Sequence, residues 1–269
     1  MQKLSLLFIL VTIGLAASAQ DSTRNQQNRK SDRKETRRQK VNALIKQSEE
    51  GVMVFSKQSI LGIQFRTNGY GGFYEFGKMK TTRKTMIFRL DINETKSQKE
   101  QKLENGGVFF ANSFVYGKVN HFYPTTLGVG QQYILGQKGN KNGVAVSAVY
   151  NAGLALGLLR PYYIDVKDPL TGNTVTIKFT SQDSALFLGP TIIGSGGFGK
   201  GWSEIKVRPG AYAKAALRFD YGRFNEVVSG IEAGISVEAY ADKIPIMLYQ
   251  KDKRIFFQGY ISLLFGHRK

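Results

Sequence analysis

Two neighbouring segments near the C-terminal end of the chain alternate between apolar and polar residues with a period of two. In residues 211–221 and 227–239 the odd positions are apolar, apart from Ser229. The even positions between them carry the charged residues Lys214, Arg218, Asp220, Glu232 and Glu238. A strand turns successive side chains to opposite faces, so each segment has one apolar and one charged face. Each is long enough to cross a bilayer as a tilted strand, which takes roughly 9–11 residues. The pair predicts a membrane barrel with an apolar exterior and a polar lumen.

Residues 1–19 have the three parts of a secretory signal peptide. Lys3 supplies the positive charge, residues 4–15 are apolar, and residues 17–19 (Ala-Ser-Ala) match a cleavage site. The alternative is a membrane-spanning helix, but the apolar run is shorter than the roughly 20 residues that a helical span takes. No later stretch of that length is free of charge. The sequence therefore predicts export, followed by either a soluble fold or a barrel.

Cysteine content and net charge narrow the possible partners. The chain has no cysteine, so an exported form has no disulfides and is not a lipoprotein, which needs a cysteine for lipid attachment. The formal net charge is +18, and basic proteins favour nucleic acid, anionic lipid or acidic glycan. Export argues against nucleic acid. It favours outer-membrane lipid, lipopolysaccharide phosphates and acidic periplasmic partners.

Residues 20–50 form a basic leader between the signal and the first strand. Its beginning has the composition of a disordered segment, whereas residues 31–50 suit a helix with a thin apolar stripe. Two interpretations stand. The leader is an arm that docks on an envelope partner, or it is a solvated run of charge that orders nothing. The candidate docking residues are Arg33, Lys34, Arg37 and Arg38.

Residues 51–269 have the pattern of one all-β domain. A bacterial single-chain barrel has an even number of strands and both termini on the periplasmic side. We therefore predict an antiparallel up-and-down transmembrane β-barrel of about ten strands, within a range of about 8–12. The weakest of the ten segments, 174–179, could instead extend a loop. The predicted strands are 59–67, 72–79, 85–93, 113–120, 125–135, 144–158, 174–179, 211–221, 227–239 and 254–265.

The segments between the strands are predicted as turns and loops. Residues 221–225 are expected to form a periplasmic turn, and residues 241–253 an extracellular loop. Residues 160–205 are expected to be mostly irregular, with one short helix within 183–202. Glycine-rich residues 194–201 superficially match a phosphate-binding loop, but Gly201 stands where a magnesium-binding Ser or Thr is needed. A flexible loop carrying Trp202 is the preferred interpretation.

Several of these features together resemble a known class of protein. A signal ending in Ala-x-Ala-Gln, a basic leader, alternating strands and an aromatic final strand resemble outer-membrane β-barrel proteins of Gram-negative bacteria. Gln20 and residues 117–123 resemble the small barrels of the Bacteroidota. One feature departs from the class, because Phe265 is followed by four further residues, whereas a terminal aromatic is common there. The resemblance implies an outer-membrane location.

The inward parity of the predicted strands collects charges of both signs. In a narrow barrel such charges must be paired, because burying an unpaired charge costs on the order of several kcal/mol of lost hydration. Two interpretations follow: a paired network that plugs the lumen, which the balance of signs favours, or a selective pore. The predicted lumen charges are Arg66, Glu75, Arg89, Asp91, Lys118, Lys214, Arg218, Asp220, Glu232 and Glu238.

The sequence offers no catalytic or metal-binding set. Outer-membrane barrel hydrolases use a His with a Ser and an acidic partner, but the position two residues after His121 is Tyr123. We interpret this segment as part of an aromatic girdle at the membrane interface. No His, Cys or carboxylate cluster has ligand spacing, so neither a metal nor a cofactor is predicted.

The leading functional hypothesis is a non-enzymatic outer-membrane barrel with a plugged lumen. It would serve as an anchor or accessory subunit of an envelope assembly, with the leader and the 160–205 loop, including Trp202, as contact surfaces. A small pore or transport protein is the first alternative. A lipid-modifying hydrolase that uses His121 is the second.

Overall fold

A computed structural model describes residue 38 and residues 55–104, 112–139, 142–222 and 226–269. The chain divides into two compact units, residues 1–52 and 53–269. The predicted signal peptide and the docking residues Arg33, Lys34 and Arg37 lie outside the described residues. Arg38 is exposed.

Thirteen strands and two short helices make up the described part of the second unit. The strands are β1 (Lys57–Arg66), β2 (Gly69–Thr81), β3 (Lys84–Thr95), β4 (Lys102–Leu103), β5 (Phe114–Val115), β6 (Asn120–Gly136), β7 (Ala145–Pro161), β8 (Tyr163–Lys167), β9 (Thr174–Lys178), β10 (Ile192–Ser195), β11 (Lys206–Asp220), β12 (Val227–Ile244) and β13 (Lys253–Arg268). The helices are α1 (Ser184–Phe187) and a 3₁₀ turn (Trp202–Glu204).

Eight of the strands form a closed antiparallel barrel. Their order around the wall is β1-β13-β12-β11-β7-β6-β3-β2, so each barrel strand pairs with the next along the chain. The first and last strands close the cylinder, with Leu61 opposite Phe265. The predicted all-β up-and-down barrel is confirmed, with eight strands where the sequence had suggested about ten.

The two surplus predicted strands lie outside the barrel wall. Gly117, at φ +69°, interrupts residues 113–120. Phe114–Val115 pairs with β4, and the barrel strand β6 begins only at Asn120. The segment 174–179 contains β9, which pairs with β8 in a separate three-stranded sheet. Five residues are too few for a strand that must cross a bilayer.

The barrel wall alternates between an exposed apolar face and a buried polar face. In β1, for example, Leu61, Ile63 and Phe65 are 53–65% exposed, whereas Gln64 and Arg66 are buried. Strand β13 repeats the pattern opposite them. A barrel that turns its oily residues outward and its ionic residues inward has the pattern of a membrane barrel.

None of the helices among the described residues has the length and apolar character needed to span a membrane.

The connections at the two ends of the barrel differ in length. At one end, called here the turn end, the chain reverses over residues 82–83, 137–144 and 221–226. At the other, the loop end, it passes through residues 67–68, 96–119, 162–205 and 245–252. Residues 223–225 of the predicted turn at 221–225 lie outside the described residues, but the strands that flank it, β11 and β12, meet at the turn end. The predicted loop at 241–253 lies at the loop end, although β12 runs on to Ile244.

The long 162–205 connection is a folded cap rather than the irregular loop expected from the sequence. Strands β10, β8 and β9 form its sheet in that order, and α1 is the short helix that the sequence predicted within 183–202. A small hydrophobic core explains why it folds. That core consists of Phe114, Tyr162, Ile164, Val166, Phe187 and Ile192.

Glycines inside the barrel make room for aromatic rings. A Cβ on Gly62 would lie 2.4 Å from the ring of Phe73, and one on Gly157 would lie 2.9 Å from Phe122 and 3.0 Å from Tyr240. Contacts under about 3 Å cannot be relieved without moving the ring. The small inward residues of the sequence therefore mark places where a neighbouring ring fills the lumen.

Substituting Gly62 by alanine is expected to destabilise the barrel by about 1–3 kcal/mol, because the added methyl group overlaps the Phe73 ring. Equilibrium unfolding by guanidinium in detergent micelles measures the effect. Gly72→Ala is the matched control, since its Cβ meets nothing closer than 3.5 Å, and a change within about 0.5 kcal/mol is expected. Equal losses in the two variants would contradict the packing argument.

Candidate functional site

Buried charges from opposite walls meet in the middle of the lumen. Each lies at an inward position of its strand, where the alternation of the wall places it. Cations and carboxylates are equal in number here, so the centre of the lumen carries no net formal charge. The cations are Arg66, Arg89, Lys214 and Arg218, and the carboxylates are Glu75, Asp91, Glu232 and Glu238.

Arg218 is the hub of this network. Its Nη1 and Nη2 donate to the Oε1 and Oε2 atoms of Glu75, both at 2.7 Å. Its Nε and Nη2 donate to Oε2 of Glu232 at 2.9 and 2.7 Å. The guanidinium therefore joins β11 to β2 across the lumen and to β12 beside it, using the planar fork that only arginine offers.

Arg89 and Lys214 extend the network toward the other walls. Arg89 donates to Glu232 at 2.8 Å and to Asp91 at 3.2 Å, and its guanidinium lies 3.5 Å from the centroid of the Phe73 ring. Lys214 donates to Asp91 at 2.8 Å. With every member of the network paired, the charges can remain buried at a tolerable desolvation cost.

An aromatic cluster closes the lumen above the charges, toward the loop end. Arg66 pairs with Glu238 at 2.7 Å, and Glu238 also accepts from the Tyr240 hydroxyl at 3.0 Å. The Tyr240 ring then meets the rings of Phe122 and Phe256, with centroids 5.3–6.0 Å apart among the three. The same apolar cluster includes Ile244, Ile246 and Met247.

A second ionic group closes the turn end. Arg268 pairs with Asp220, and Lys138 lies 3.6 Å from the same carboxylate. The guanidinium of Arg268 also lies 4.9 Å from the centroid of Phe55. Side chains therefore fill the lumen at the turn end, in the middle and at the loop end.

Lys118 does not join the lumen network. It was predicted to do so from the parity of residues 113–120, but that segment is not a barrel strand. Lys118 instead pairs with Glu100 at 2.9 Å, within the 96–119 connection at the loop end. Asp220, also predicted, lies in the turn-end group described above.

The sequence reading missed several residues that complete the lumen. Gln64 accepts hydrogen bonds from Arg89 and Lys214, and the Tyr260 hydroxyl donates to Glu232 at 3.0 Å. Their inward parity was the available signal. Three further lumen residues, Phe122, Lys138 and Arg268, lie outside the strands that the sequence predicts, so parity gave no signal for them.

Trp202, predicted as a partner contact, belongs to an aromatic cluster on the outside of the barrel, called here the rim cluster. It consists of Tyr123, Arg160, Phe198 and Trp202. The Arg160 guanidinium lies 4.7 Å from both the Phe198 and Trp202 centroids, and Trp202 stacks on Tyr123 at 5.9 Å. Phe198 is 71% and Trp202 44% exposed. The cluster offers exposed aromatic area beside a buried cation.

His121 lies beside the rim cluster and pairs with a carboxylate. Its Nδ1 is 3.6 Å from Oε1 of Glu94, whose other oxygen accepts from the Tyr70 hydroxyl at 2.7 Å. The imidazole also stacks on Tyr123. Among the described residues, no serine hydrogen-bonds to His121.

Within the cap, polar contacts link the three-stranded sheet to the 3₁₀ turn. The Glu204 carboxylate accepts from Lys178 and from the Tyr163 hydroxyl, the latter at 2.6 Å. These two donors hold the pKa of the Glu204 carboxyl below its usual value. A depressed carboxyl pKa stabilises the fold above the unfolded-state pKa, and this stabilisation is lost as the pH falls through the folded-state pKa.

Within the part of the chain that the structure describes, no three His, Cys, Asp or Glu residues are grouped as metal ligands.

No family model and no curated protein matches this chain. Solved structures do match over most of its length. Ail, the attachment invasion locus protein of Yersinia pestis, was crystallised with the heparin analogue sucrose octasulfate; it is 10% identical, with a TM-score of 0.38, over 80% of this chain and 100% of that one.

Neisserial surface protein A is 8% identical, with a TM-score of 0.39, over 80% of this chain and 97% of that one. The N-terminal barrel domain of Pseudomonas aeruginosa OprF is 12% identical, with a TM-score of 0.34, over 79% and 98%. These neighbours are outer-membrane β-barrel proteins of Gram-negative bacteria. Because their TM-scores are below 0.5, these matches support no inference about the function of this chain.

Proposed function

We propose that this chain is an integral outer-membrane β-barrel that acts as a non-enzymatic anchor or accessory subunit of an envelope assembly. The observation that carries the proposal is the filled lumen. Arg218, Glu75 and Glu232 cross its middle, and aromatic and ionic groups close its two ends. A barrel of this kind holds a position in a membrane and leaves no path through its centre.

The wall supports the membrane part of the proposal. Its outward residues are large and apolar around the cylinder, from Leu61 on β1 to Leu154 on β7 and Phe257 on β13. Such a surface is stable only when lipid or another apolar phase covers it. Because long loops face the outside in this class, the loop end is assigned to the extracellular side. The turn end and the predicted leader are assigned to the periplasmic side.

The anchor is proposed to present two contact surfaces to its partners. The cap and the rim cluster are outside the cell in this orientation, and exposed Phe198 and Trp202 are of the residue types enriched at protein interfaces. The basic leader, with Arg33, Lys34, Arg37 and Arg38, faces acidic partners in the periplasm. Outer-membrane lipid and lipopolysaccharide surround the wall, and the predicted signal at residues 1–19 is proposed to direct export.

Planar-bilayer recording tests the closed lumen. Purified, refolded protein is expected to give no stable single-channel steps above the background of detergent alone, because side chains fill the lumen at both ends and in the middle. Heat-modifiable migration on gels checks that the same preparation contains folded barrels. Stable conductance from folded barrels would overturn the plugged-anchor proposal in favour of the pore alternative.

The hydrolase alternative has one supporting contact, the His121–Glu94 pair, and lacks a hydrogen-bonded serine. We expect wild type and His121→Ala to be equally inactive on labelled lipid A. Turnover by wild type that the substitution abolishes would establish an enzyme. A pull-down from solubilised envelopes, with and without residues 21–50, then separates a docking leader from a solvated one.

A further inference from the structure

A recess of about 600 Å³ is cut into one side of the barrel wall. It spans β3, β6, β7 and β11, and Lys80 of β2 lies at one end. Most of its lining residues lie at outward positions of their strands, so the recess belongs to the exterior. The residues used below are Lys80, Lys84, Met86, Gln131, Tyr150 and Ala213.

The recess exists because small residues replace bulky ones on this part of the wall. Ala152 and Ala213 are outward and cross-strand neighbours, and Gly130 contributes bare backbone beside them. The larger side chains of Met86 and Tyr150 also line the recess. A lipid-facing wall elsewhere built from Leu, Ile and Phe is therefore indented here.

The recess runs from the turn end to about half the height of the wall. Lys84 is the first residue of β3, and Lys80 precedes the turn that leads to it. Ala213 lies near the middle of β11. In the orientation proposed above, this is the depth of one leaflet, with the lysines at the periplasmic surface and the alanines near the bilayer midplane.

Charge and polarity change along the recess in the same direction. Lys80 and Lys84 are exposed, and neither forms an ion pair within the described residues. No Asp or Glu lines the recess. Between the lysines and the alanines, the Tyr150 hydroxyl donates to Oε1 of Gln131 at 2.8 Å. The recess is thus cationic at the surface and polar below it. Its outward residues at depth, Ala152 and Ala213, are apolar, and Asn151 and Lys214 also line it from inward positions of their strands.

We propose that this recess binds one anionic phospholipid of the periplasmic leaflet. Its phosphate-bearing headgroup would lie between Lys80 and Lys84, and an acyl chain would lie over Ala152 and Ala213. The cationic end complements the headgroup, and the apolar depth complements the chain. The inference rests on the proposed membrane location and adds a lipid class and a leaflet to it.

Native mass spectrometry tests the site. Protein reconstituted in vesicles of phosphatidylethanolamine with a minor share of phosphatidylglycerol is extracted, and the lipid retained by each barrel is identified. Wild type is expected to retain one lipid, enriched in phosphatidylglycerol over the bulk. Lys80→Gln/Lys84→Gln is expected to lower that enrichment roughly 10- to 30-fold, at about 5-fold per lysine. Ala213→Leu fills the recess and is expected to lower retention of both lipids.

Lys57→Gln/Lys78→Gln is the matched control, because it removes two lysines from the same rim outside the recess. It is expected to leave the enrichment unchanged. An equal loss of phosphatidylglycerol enrichment in both double variants would contradict a specific site, because it would show that any lysine at the turn end attracts anionic lipid. Absence of enrichment in inserted wild-type barrels would also overturn the proposed site. Both outcomes leave the membrane anchor intact. Failure of the wild type to insert into vesicles would instead contradict the proposed function itself.

Discussion

Replacing Arg218 by methionine is expected to destabilise the barrel by about 3–5 kcal/mol, because it leaves the buried Glu75 carboxylate with only a 3.4 Å ion pair to Arg89 and gives the lumen one surplus negative charge. Methionine keeps most of the side-chain volume, so the loss reports on charge rather than on a cavity. The free energy of unfolding, from reversible guanidinium titration in lipid vesicles, measures it. The loss is large beside the stability of a typical domain.

Two further variants make this result specific. Arg208→Met removes the arginine of a half-exposed pair with Asp242 and is expected to change stability by about 0–1 kcal/mol. Adding Glu75→Gln to Arg218→Met again makes the numbers of buried cations and carboxylates equal, because Arg89 still pairs with Glu232, Lys214 with Asp91 and Arg66 with Glu238. It is expected to restore much of the lost stability. If the double variant is no more stable than Arg218→Met alone, burial of unpaired charge is not the cause.

Ile235→Arg is expected to destabilise the inserted barrel by about 2–4 kcal/mol, because it places a charge against lipid near the middle of the bilayer. Ile235 is 50% exposed and lies halfway along β12. Val227→Arg is the matched control, on the same face of the same strand but at its turn end, where about 0–1 kcal/mol is expected.

The same titration in vesicles separates the two substitutions. A depth-dependent difference supports both the orientation of the wall and the register of β12. If Ile235→Arg costs no more than Val227→Arg, this face of the barrel does not meet hydrocarbon. The proposed membrane location would then be contradicted, whatever the state of the lumen.

The barrel strands could be predicted because membrane and lumen impose opposite polarities on alternate residues. The eight segments with sustained alternation are the eight barrel strands. Residues 113–120 and 174–179 alternate as well, but a short strand in a loop obeys the same local rule. Only pairing distinguishes them, and pairing depends on residues far away in the chain.

The sequence predicts which charged residues face the lumen, but not which of them pair with each other. Parity placed Arg218, Glu75 and Glu232 inside, yet it contains no information on which partner each one meets across the lumen. The closing ring cluster was missed for a related reason. Phe122 falls between the predicted strands 113–120 and 125–135, whereas it lies in β6, where its even position turns it inward and it is fully buried.

The seam between β1 and β13 has a consequence for biogenesis. The Lys269 carbonyl accepts from the backbone N–H groups of Ser56 and Lys57, 213 and 212 residues away, and Arg268 lies opposite Gln58. The residues after Phe265 are thus part of the seam. Because contacts so distant in sequence form late, the free edge of β1 must stay unpaired until β13 has been synthesised. This polypeptide therefore most needs a chaperone before β1 pairs with β13, and not after the barrel has closed.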